Sequence, residues 1–488
     1  MKQKLKAIFK GPVVFYPLLF AVFPILFLYV HNISETSASQ IWLPIVISVA
    51  ATLVLWAVMS LILRSLAKAG LATAIFLVFF FSYGRLYDGL SYLGVFVPKH
   101  AYLLPVMLFI WGYCVYFISR AKRDFRITTR LFNITAVVLI AINLFNIVGY
   151  QVKLARLSDG MPEESSEYTT ASPTEPSTLP DIYFIVLDEY ARSDTMKEWY
   201  DYDSSWFIES LEDKGFFVAS QSETLTMDSP RIVAERLNME YLDDEPWGDS
   251  TYRKVAYNKV ADLLRAQGYQ YIVFGSCGDV GRWDRYMEDN ADLYFNYYQE
   301  SATPWVSEFQ EILWGTTMLR PFYYHLVGGQ YVTVYERMTL YTLEHLKAMP
   351  EEVEGPKFIF AFLCCPHGPL VFDAEGGHVD PLNWQNFEDK QLYRGQYIFI
   401  SKQIEEVVDV LLEESEIPPI IILQSDHGMR PVHPDIVIGP DEWRKILNAM
   451  YLPGMDYSEL SDSISTVNTF RLIFNHYFGA DYPLLEDD

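Results

Sequence analysis

The sequence predicts a five-helix transmembrane anchor followed by an α/β domain, in which a mostly parallel sheet carries helices on both faces. Three observations support this prediction. Nearly all long apolar runs lie in the first 150 residues, the balance of charge changes sign after them, and apolar strands alternate with helices of ten or more residues from Asp181 onward. Such alternation is typical of βαβ units. The expected organisation is an anchor over residues 1–150, a flexible linker over 151–180 and the α/β domain over 181–488.

Five apolar segments in the first part of the chain are each close to the ~20 residues that a helix needs to cross a bilayer. They cover residues 13–31, 41–63, 70–87, 101–119 and 129–149. Basic residues are concentrated before the first segment, between the second and third, and between the fourth and fifth. By the positive-inside rule the amino terminus is cytoplasmic and the α/β domain is extracytoplasmic, in a multi-pass protein of the cell membrane. A cleaved signal peptide is the alternative interpretation of the first segment.

The charge of the chain divides at the same place. The first 150 residues hold 13 Lys or Arg and three Asp or Glu, so the rest holds 24 and 59 of the totals of 37 and 62. The first part therefore carries a formal charge of +10 and the remainder −35. A nucleic-acid partner is excluded for so acidic a domain, because nucleic acids are bound by basic surfaces.

Beyond the anchor, Ser, Thr, Pro and Glu dominate residues 151–180, which predicts a tether without regular structure. The pattern then predicts strands and helices in alternation. Strands are expected at DIYFIVLD, FFVAS, YQYIVF, KFIFAFLCC and PPIIILQ. Helices are expected over residues 194–215, 230–239, 254–266, 331–349 and 390–414.

Two of the predicted strands end in acidic side chains. The apolar run PPIIILQS leads directly to Asp426, His427 and Gly428, and the run DIYFIVL leads to Asp188 and Glu189. In an open α/β sheet the carboxyl ends of parallel strands meet at one crevice, so both groups are expected at the same edge. Carboxylates that converge there repel each other unless a cation lies between them. The pattern favours a shared metal ion, and a polar turn after a buried strand is the alternative for each motif alone.

A serine precedes the predicted helix in LTMDSPRIVAERLNMEYL. Pro230 suits the first helical position, and Ser229 or Asp228 suits the cap. The structural interpretation of Ser229 is that cap and nothing more. The functional interpretation uses the same place, because the positive potential at a helix amino terminus stabilises an alkoxide and a phosphoryl or sulfuryl group. A metal would complete the activation of the hydroxyl.

Two further histidines are candidate site residues. His367 follows the predicted strand KFIFAFLCC, where it could hold a substrate oxyanion or protonate a leaving group. His433 lies six residues beyond His427 and is a candidate substrate-binding residue of the same kind. For each of them, a structural role is the alternative.

Four cysteines are too few for a disulfide scaffold. Cys114 lies in an apolar segment of the anchor. Cys364 and Cys365 are adjacent in a predicted strand, so their side chains point to opposite faces and cannot readily hold one metal together. Two thiols in the core are therefore expected.

Five blocks of the sequence resemble the membrane-anchored sulfatase-like hydrolases and transferases of the alkaline phosphatase superfamily, among them lipoteichoic acid synthases and phosphoethanolamine transferases. The blocks are PDIYFIVLDEYARSD, GFFVASQSETLTMDSPRIVAERLNMEYLDD, FAFLCCPHGPLVFDAEG, PPIIILQSDHG and ISTVNTFRLIFNHYFGADYPLL. They cover most of residues 180–488, and five spans before the domain match the synthase layout. The resemblance implies an alkaline phosphatase-like fold in which Asp188, Asp426 and His427 bind one divalent metal ion.

The same resemblance implies a nucleophile. These families usually have a Thr eight residues before a Leu-Asn motif, and here Leu237-Asn238 puts Ser229 at that position, as nucleophile and metal ligand. Thr226 or Thr224 is the alternative if the loop is shifted. The C/S-x-P-x-R motif of true sulfatases does not match the residues around Ser229, which counts against sulfate-ester hydrolysis by the formylglycine route. Glu189 stands where relatives often have Gly and is a candidate substrate contact.

The sequence therefore predicts an enzyme that transfers or hydrolyses a phosphoester with one divalent metal ion, whether Mn, Zn, Mg or Ca, through a covalent Ser229 phosphoryl intermediate. A membrane lipid headgroup or an envelope polymer is the expected substrate, because the anchor keeps the site near the membrane. Two alternatives stay open at this point. One is a sulfate or phosphate monoester hydrolase, and the other is a non-catalytic, membrane-tethered binding protein with a degenerate site.

Overall fold

The computed structural model describes residues 12–33, 36, 38–92, 99–159, 179–242, 249–275, 284–297, 308–326, 334–379, 390–429 and 441–486. The candidate His433 lies outside these residues. The chain forms two compact units, of which unit 1 is Met1–Ser165 with Thr303–Gln330 and unit 2 is Ser166–Ala302 with Tyr331–Asp488. The chain thus leaves unit 2 after residue 302 and returns to it at residue 331.

The secondary structure is numbered here along the chain. The helices are α1 Tyr16–His31, α2 Trp42–Leu63, α3 Leu66–Tyr92, α4 His100–Arg120, α5 Arg126–Asp159, α6 Ser193–Tyr200, α7 Ser205–Asp213, α8 Ser229–Asn238, α9 Asp249–Ala256, α10 Lys259–Ala266, α11 Asp284–Asn290, α12 Glu308–Gly315, α13 Arg320–Leu326, α14 Val334–Glu352, α15 Lys390–Glu414 and α16 Thr469–Phe478. The strands are β1 Ile182–Leu187, β2 Phe217–Val218, β3 Gln270–Phe274, β4 Leu293–Phe295, β5 Lys357–Leu363, β6 Ile420–Ser425 and β7 Asn448–Tyr451.

Unit 1 is helical, and α1 packs against α2, α3 and α5. Four of its helices, over Ala38–Leu63, Leu66–Ser91, His100–Arg120 and Arg126–Val152, are long and apolar enough to cross a membrane. The prediction of five spans was wrong for the first segment. Helix α1 has 16 residues and at about 1.5 Å per residue is shorter than the ~30 Å hydrocarbon layer. Apolar composition predicted a span there, but the helix begins only at Tyr16 and ends at His31.

Helices α12 and α13 belong to unit 1, although they lie between elements of unit 2 in sequence. Phe309 and Leu313 of α12 are buried in the apolar cluster that α1 and α3 form. The backbone N–H of Gly84 in α3 donates to the carbonyl of Thr316, at 2.8 Å, and that of Met318 donates to the carbonyl of Phe80, at 3.0 Å. The segment after α12 is thus held to α3 by backbone hydrogen bonds as well as by apolar burial.

Unit 2 is built on one seven-stranded sheet in the order β2-β7-β6-β1-β5-β3-β4. All neighbouring strands are parallel except at β7, which runs antiparallel to both β6 and β2. The mostly parallel sheet is confirmed. Strands β4 and β7 were not predicted, because each is only three or four residues long and lacks a clear apolar period.

Helices cover both faces of this sheet, as predicted. Tyr183, Ile185 and Leu187 of β1 are buried in one cluster with side chains of α14 and α15. On the opposite face, the ring of Phe184 packs edge-on against that of Phe470 in α16, with 5.3 Å between centroids. Because strand side chains alternate between faces, the fully buried strand β1 needs both layers.

Two predicted helices are each divided in the structure. The expected helix over 194–215 is α6 and α7, because Asp201 adopts a left-handed backbone (φ 49°) that ends α6. The expected helix over 254–266 is α9 and α10, because Asn258 caps α10 by accepting a hydrogen bond from the N–H of Ala261 at 2.8 Å. The expected helix over 390–414 is α15, with the predicted bounds.

Candidate metal centre and active site

The register of the sheet brings the first two candidate ligands together. Leu187 of β1 lies opposite Ser425 of the parallel neighbour β6. The next residues are Asp188 and Asp426, so their carboxylates emerge side by side at the same edge. Strand β5 flanks β1 on the other side, and the backbone N–H of His367 beyond it donates to the carbonyl of Asp188, at 3.1 Å. The predicted meeting of strand ends is therefore what the structure has.

Asp188, Asp426 and His427 form a buried cluster in which one ligand atom from each lies within 4.8 Å of the others. Nε2 of His427 is 3.6 Å from Oδ2 of Asp426 and 3.9 Å from Oδ1 of Asp188. Nδ1 of His427 lies 2.8 Å from the carbonyl oxygen of Gly428, which can only accept, so Nδ1 carries the proton of the neutral ring. Nε2 then turns a lone pair toward two carboxylates, an arrangement that a shared cation would stabilise.

Asp426 is the most completely enclosed member of this cluster. Its Oδ1 accepts hydrogen bonds from the N–H groups of Glu189, at 3.0 Å, and His427, at 2.7 Å. Burial raises the pKa of Asp426, but His427, the Ser229 side chain and the two N–H groups together lower it below the usual value. Oδ2 is buried and has no hydrogen bond of good geometry within the described part of the chain. A carboxylate kept ionised, with one oxygen still available, fits a metal ligand.

Gly428 lets the chain turn away from the cluster. Its N–H donates to the carbonyl of Trp443 at 2.6 Å. A Cβ at this position would lie 2.6 Å from the carbonyl oxygen of Lys445 and 2.8 Å from that of Glu442. No larger residue fits without moving backbone, so Gly428 is required by this close approach.

Ser229 is the first residue of α8 and is buried, while Asp228 occupies the cap position without a capping side-chain bond. The predicted alternatives for the cap are thereby separated: Ser229 is not the cap, and its side chain interacts with Asp426 instead. The two other candidate hydroxyls serve the preceding turn. That of Thr226 accepts from the N–H of Asp228 at 3.2 Å, and that of Thr224 donates to the Thr226 carbonyl at 3.4 Å.

Glu189 has an unusual backbone for a residue with a side chain, since its φ is 61°. Its N–H is held by Asp426, and its carbonyl accepts a hydrogen bond from the Tyr393 hydroxyl of α15 at 2.7 Å. The carboxylate is buried, with Oε2 at 3.8 Å from Nε2 of His367. The left-handed backbone suits Gly, so a side chain at this position comes with backbone strain.

His367 lies beside this carboxylate in a segment that α15 holds in place. Gln396 of α15 donates to the carbonyls of Pro366, at 3.0 Å, and His367, at 2.9 Å. Its own carbonyl oxygen accepts from the N–H groups of Val371 and Phe372. The His367 side chain is about one third exposed, at 29%, so it can meet a substrate from solvent.

Arg236 is a charged residue of the site that the sequence interpretation missed. It is fully buried on α8, where Nε donates to the Thr466 hydroxyl at 2.9 Å and Nη2 to the Ser425 carbonyl at 2.8 Å. Burial lowers its pKa to about 10, although Asp426 and Glu235 act to raise it. Arg236 therefore places a positive charge beneath the carboxylate cluster. Its spacing of seven residues from Ser229 puts both on one helix face, which is a signal that the sequence did contain.

The cysteine prediction was half wrong. Cys365 is a free, buried thiol, as expected, but Cys364 is disulfide-bonded. Strand β5 ends at Leu363, so neither cysteine lies in the strand as predicted, and both are buried.

Comparison with known proteins gives distant structural likenesses. No protein-family model matches the chain, and no curated protein matches it in sequence. Similar solved structures include a protein in the alkaline phosphatase superfamily from Vibrio parahaemolyticus, with 12% identity over 62% of this chain and 68% of that one (TM-score 0.41). Another is the C-terminal periplasmic domain of EcEptC from Escherichia coli in complex with Zn, with 11% identity over 64% and 86% (TM-score 0.42). A third is the lipoteichoic acid synthase LtaP from Listeria monocytogenes, with 12% identity over 61% and 71% (TM-score 0.40).

Proposed function

We propose that unit 2 transfers or hydrolyses a phosphoester, with Ser229 as the nucleophile and one divalent metal ion held by Asp188, Asp426 and His427. The observation that carries this proposal is the place of Ser229. Its side chain interacts with Asp426, which belongs to the buried cluster of three ligand side chains. A hydroxyl that served only as a helix cap would have no reason to lie beside such a cluster.

The residues present suit a hard or borderline cation, because two carboxylates and one imidazole nitrogen converge within a single buried space. Ser229 would supply a fourth ligand. When bound, the cation would stabilise the Ser229 alkoxide and the charge that develops on the phosphoryl oxygens. Mn, Zn, Mg and Ca all remain candidates for this site.

Ser229 would give up its hydroxyl proton to water and attack phosphorus in line with the bond to the leaving oxygen. The bond from Ser229 to phosphorus forms as the old bond breaks, and the electron pair of that bond leaves with the departing oxygen. His367 would give this oxygen a proton or hold the phosphoryl oxygens. An acceptor alcohol or water then attacks the phospho-serine, loses its own proton, and restores the Ser229 hydroxyl.

The amino terminus of α8 adds to this stabilisation. Ser229 is the first helical residue of a ten-residue helix, so the N–H groups of the first turn and the helix dipole favour negative charge at its side chain. A phosphoryl group carried on Ser229 would lie in that positive potential.

We further propose that the substrate is a membrane lipid headgroup or an envelope polymer, and that unit 2 lies outside the cytoplasm. The four apolar helices of unit 1 support a membrane location. The disulfide of Cys364 also supports an extracytoplasmic location, since such bonds persist in oxidising compartments. A sulfate or phosphate monoester hydrolase would use the same residues, and analysis of the products distinguishes it from a transferase.

The test is mass spectrometry of the full chain incubated with phospholipids and one divalent metal at a time. We expect a phosphoryl or phosphoryl-headgroup adduct on Ser229 in the wild type and none in Ser229→Ala, whose turnover should fall by several orders of magnitude. Ser229→Thr should keep measurable activity, and Thr226→Ala should behave as the wild type. Asp426→Asn should bind less metal.

Two results would contradict the proposal. One is wild-type turnover in Ser229→Ala with an adduct on Thr226, which would place the nucleophile on the turn. The other is a folded wild type that binds no divalent metal and forms no adduct, which would favour a non-catalytic, membrane-tethered binding protein.

A further inference from the structure

Unit 1 contains a partly open cavity of about 320 Å³ between α1, α3, α5 and the end of α12. This volume is at the lower end of the range of roughly 300–1,000 Å³ that is usual for ligand sites. Its walls are almost entirely apolar and include four phenylalanines, Phe20, Phe23 and Phe27 of α1 and Phe81 of α3. Leu313 and Thr316, which lie between elements of unit 2 in sequence, close one side.

Three polar side chains line this cavity, and two of them are already satisfied. The hydroxyl of Ser82 donates to the carbonyl of Val78 at 2.6 Å, and that of Thr316 donates to the carbonyl of Leu313 at 2.7 Å. The third is Arg85, which is exposed and makes no ion pair with any residue that the structure describes. Asp88, one turn further along α3, pairs with Arg320 instead, at 2.6 Å.

The wall at Thr316 is fixed in place. Gly84 of α3 is so close to this segment that a Cβ on it would lie 2.7 Å from Cα of Thr316. The two backbone hydrogen bonds of Gly84 and Phe80 described above hold the segment against α3. The cavity is therefore bounded by packed backbone on this side, as a preformed ligand site requires.

The geometry points to a phospholipid as the occupant: one acyl chain lies in the cavity and the phosphate pairs with Arg85. Apolar walls whose hydroxyls are already satisfied suit a hydrocarbon chain. A guanidinium at the rim suits a phosphate, which it can bind through two parallel hydrogen bonds. A helix bundle with spans long enough to cross a bilayer meets such a ligand throughout its surroundings. This site does not depend on the reaction proposed for unit 2.

The experiment uses the purified full chain, stripped of lipid in detergent and titrated with a defined phosphatidylglycerol, with bound lipid counted by native mass spectrometry. We expect saturable binding of one lipid. Arg85→Gln should weaken it about tenfold, the effect of losing one charge-assisted contact. Val78→Trp, which fills the cavity from a lining position that tolerates apolar bulk, should weaken it as well. Arg130→Gln, an exposed arginine of α5 away from the cavity, should leave it unchanged.

Three further ligands test whether the occupant is a phospholipid. Diacylglycerol with the same chains should bind at least tenfold more weakly than the phospholipid, because it lacks the phosphate. Inorganic phosphate alone should not displace the lipid, and a free fatty acid should bind more weakly than the phospholipid. Equal affinity for diacylglycerol, tighter binding of the fatty acid, or unchanged lipid binding in Arg85→Gln would each overturn the proposal. Melting curves of all variants, with Arg85→Lys as a charge-keeping substitution, separate lost binding from lost folding.

Discussion

Glu189 combines a left-handed backbone with a buried carboxylate, two features that a protein rarely maintains without a use. A non-glycine residue in this region costs about 1–3 kcal/mol. Two hydrogen bonds hold it there, from its own N–H to Asp426 and from Tyr393 to its carbonyl. The strain thus turns one N–H toward a candidate metal ligand and one carboxylate toward His367.

Glu189→Gly should therefore stabilise the fold by about 1 kcal/mol and lower turnover about tenfold or more. The carboxylate beside His367 is removed, but the backbone becomes relaxed. Asp201→Gly is the matched control, because Asp201 also has a positive φ (49°) but is exposed and is not one of the cluster residues. It should raise stability to a similar degree with unchanged turnover. Denaturant unfolding measures the stability of both variants, and a phosphoester assay measures their turnover. Full activity in Glu189→Gly would show that the strained carboxylate has no part in the reaction.

Arg236 offers a second test at the level of single residues. Arg236→Met should destabilise the metal-free protein by about 3–5 kcal/mol, because it removes the positive charge beside a buried carboxylate and the donor to the Ser425 carbonyl. It should also raise the affinity for a divalent cation, since one repelling charge is gone. Arg236→Lys keeps the charge and should lose less stability than Arg236→Met. Metal titration followed by thermal unfolding reports both effects, and an unchanged melting temperature in Arg236→Met would contradict this role.

The carboxylates of the candidate site could be foreseen because strand ends meet by rule, whereas other parts of the site could not. Asp188 and Asp426 each follow an apolar strand, and the parallel register of β1 and β6 brings the two residues side by side. The backbone of Glu189 depends on partners that are more than 200 residues away in sequence. The local sequence pattern does not indicate contacts with residues so distant along the chain.

Among the elements, α15 does most to position the loop of His367. Gln396 alone makes four hydrogen bonds to that loop, two as donor and two as acceptor. Gln396→Ala would leave four backbone groups without a partner, each at a cost of about 1–3 kcal/mol unless water replaces it. We expect a loss of at least about 3 kcal/mol of stability and a large loss of turnover.

Gln396→Glu sharpens this prediction. A carboxylate can still accept from the N–H groups of Val371 and Phe372 but cannot donate to the two carbonyls. The loss of stability in Gln396→Glu should therefore lie between zero and that of Gln396→Ala. Among the residues that the structure describes, the Gln403 side chain on the same helix bonds only to Glu406, at 3.3 Å and near the surface. Gln403→Ala should therefore change stability by less than about 0.5 kcal/mol. Equal stability of Gln396→Ala and Gln403→Ala, measured by urea unfolding, would mean that the four bonds contribute nothing.

Elements with a long, uninterrupted pattern were predicted best. Helix α15 and strands β1, β5 and β6 have strong apolar periods or runs, and the structure has them where they were expected. The helix breaks at Asp201 and Asn258 were not predicted because the apolar pattern continues across both residues. A left-handed residue or a side-chain cap interrupts a helix without changing its composition.

For the whole molecule, the correction from five to four long spans alters only one part of the expected topology. The basic loops at Arg64 and Lys68 and between α4 and α5 are still expected inside, so unit 2 is still expected outside. The side of the amino terminus now depends on α1. Reporter fusions after residue 150 should be active outside the membrane and those in the 120–130 loop inside. A reporter ahead of Tyr16 is active inside if α1 crosses the membrane and outside if it does not. Activity on the inside for the fusion after residue 150 would overturn the assignment of unit 2 to the outside.

The return of residues 303–330 to unit 1 affects how the protein can be divided. A recombinant fragment beginning after the linker would contain that segment without the helices it packs against. Phe309, Leu313 and Met318, all buried in unit 1, would then face water, and aggregation is the expected result. A soluble form for biochemistry would need a short polar bridge in place of this segment. The same arrangement constrains gene fusion in evolution, because joining unit 2 to another anchor at the linker would leave this segment without its packing partners.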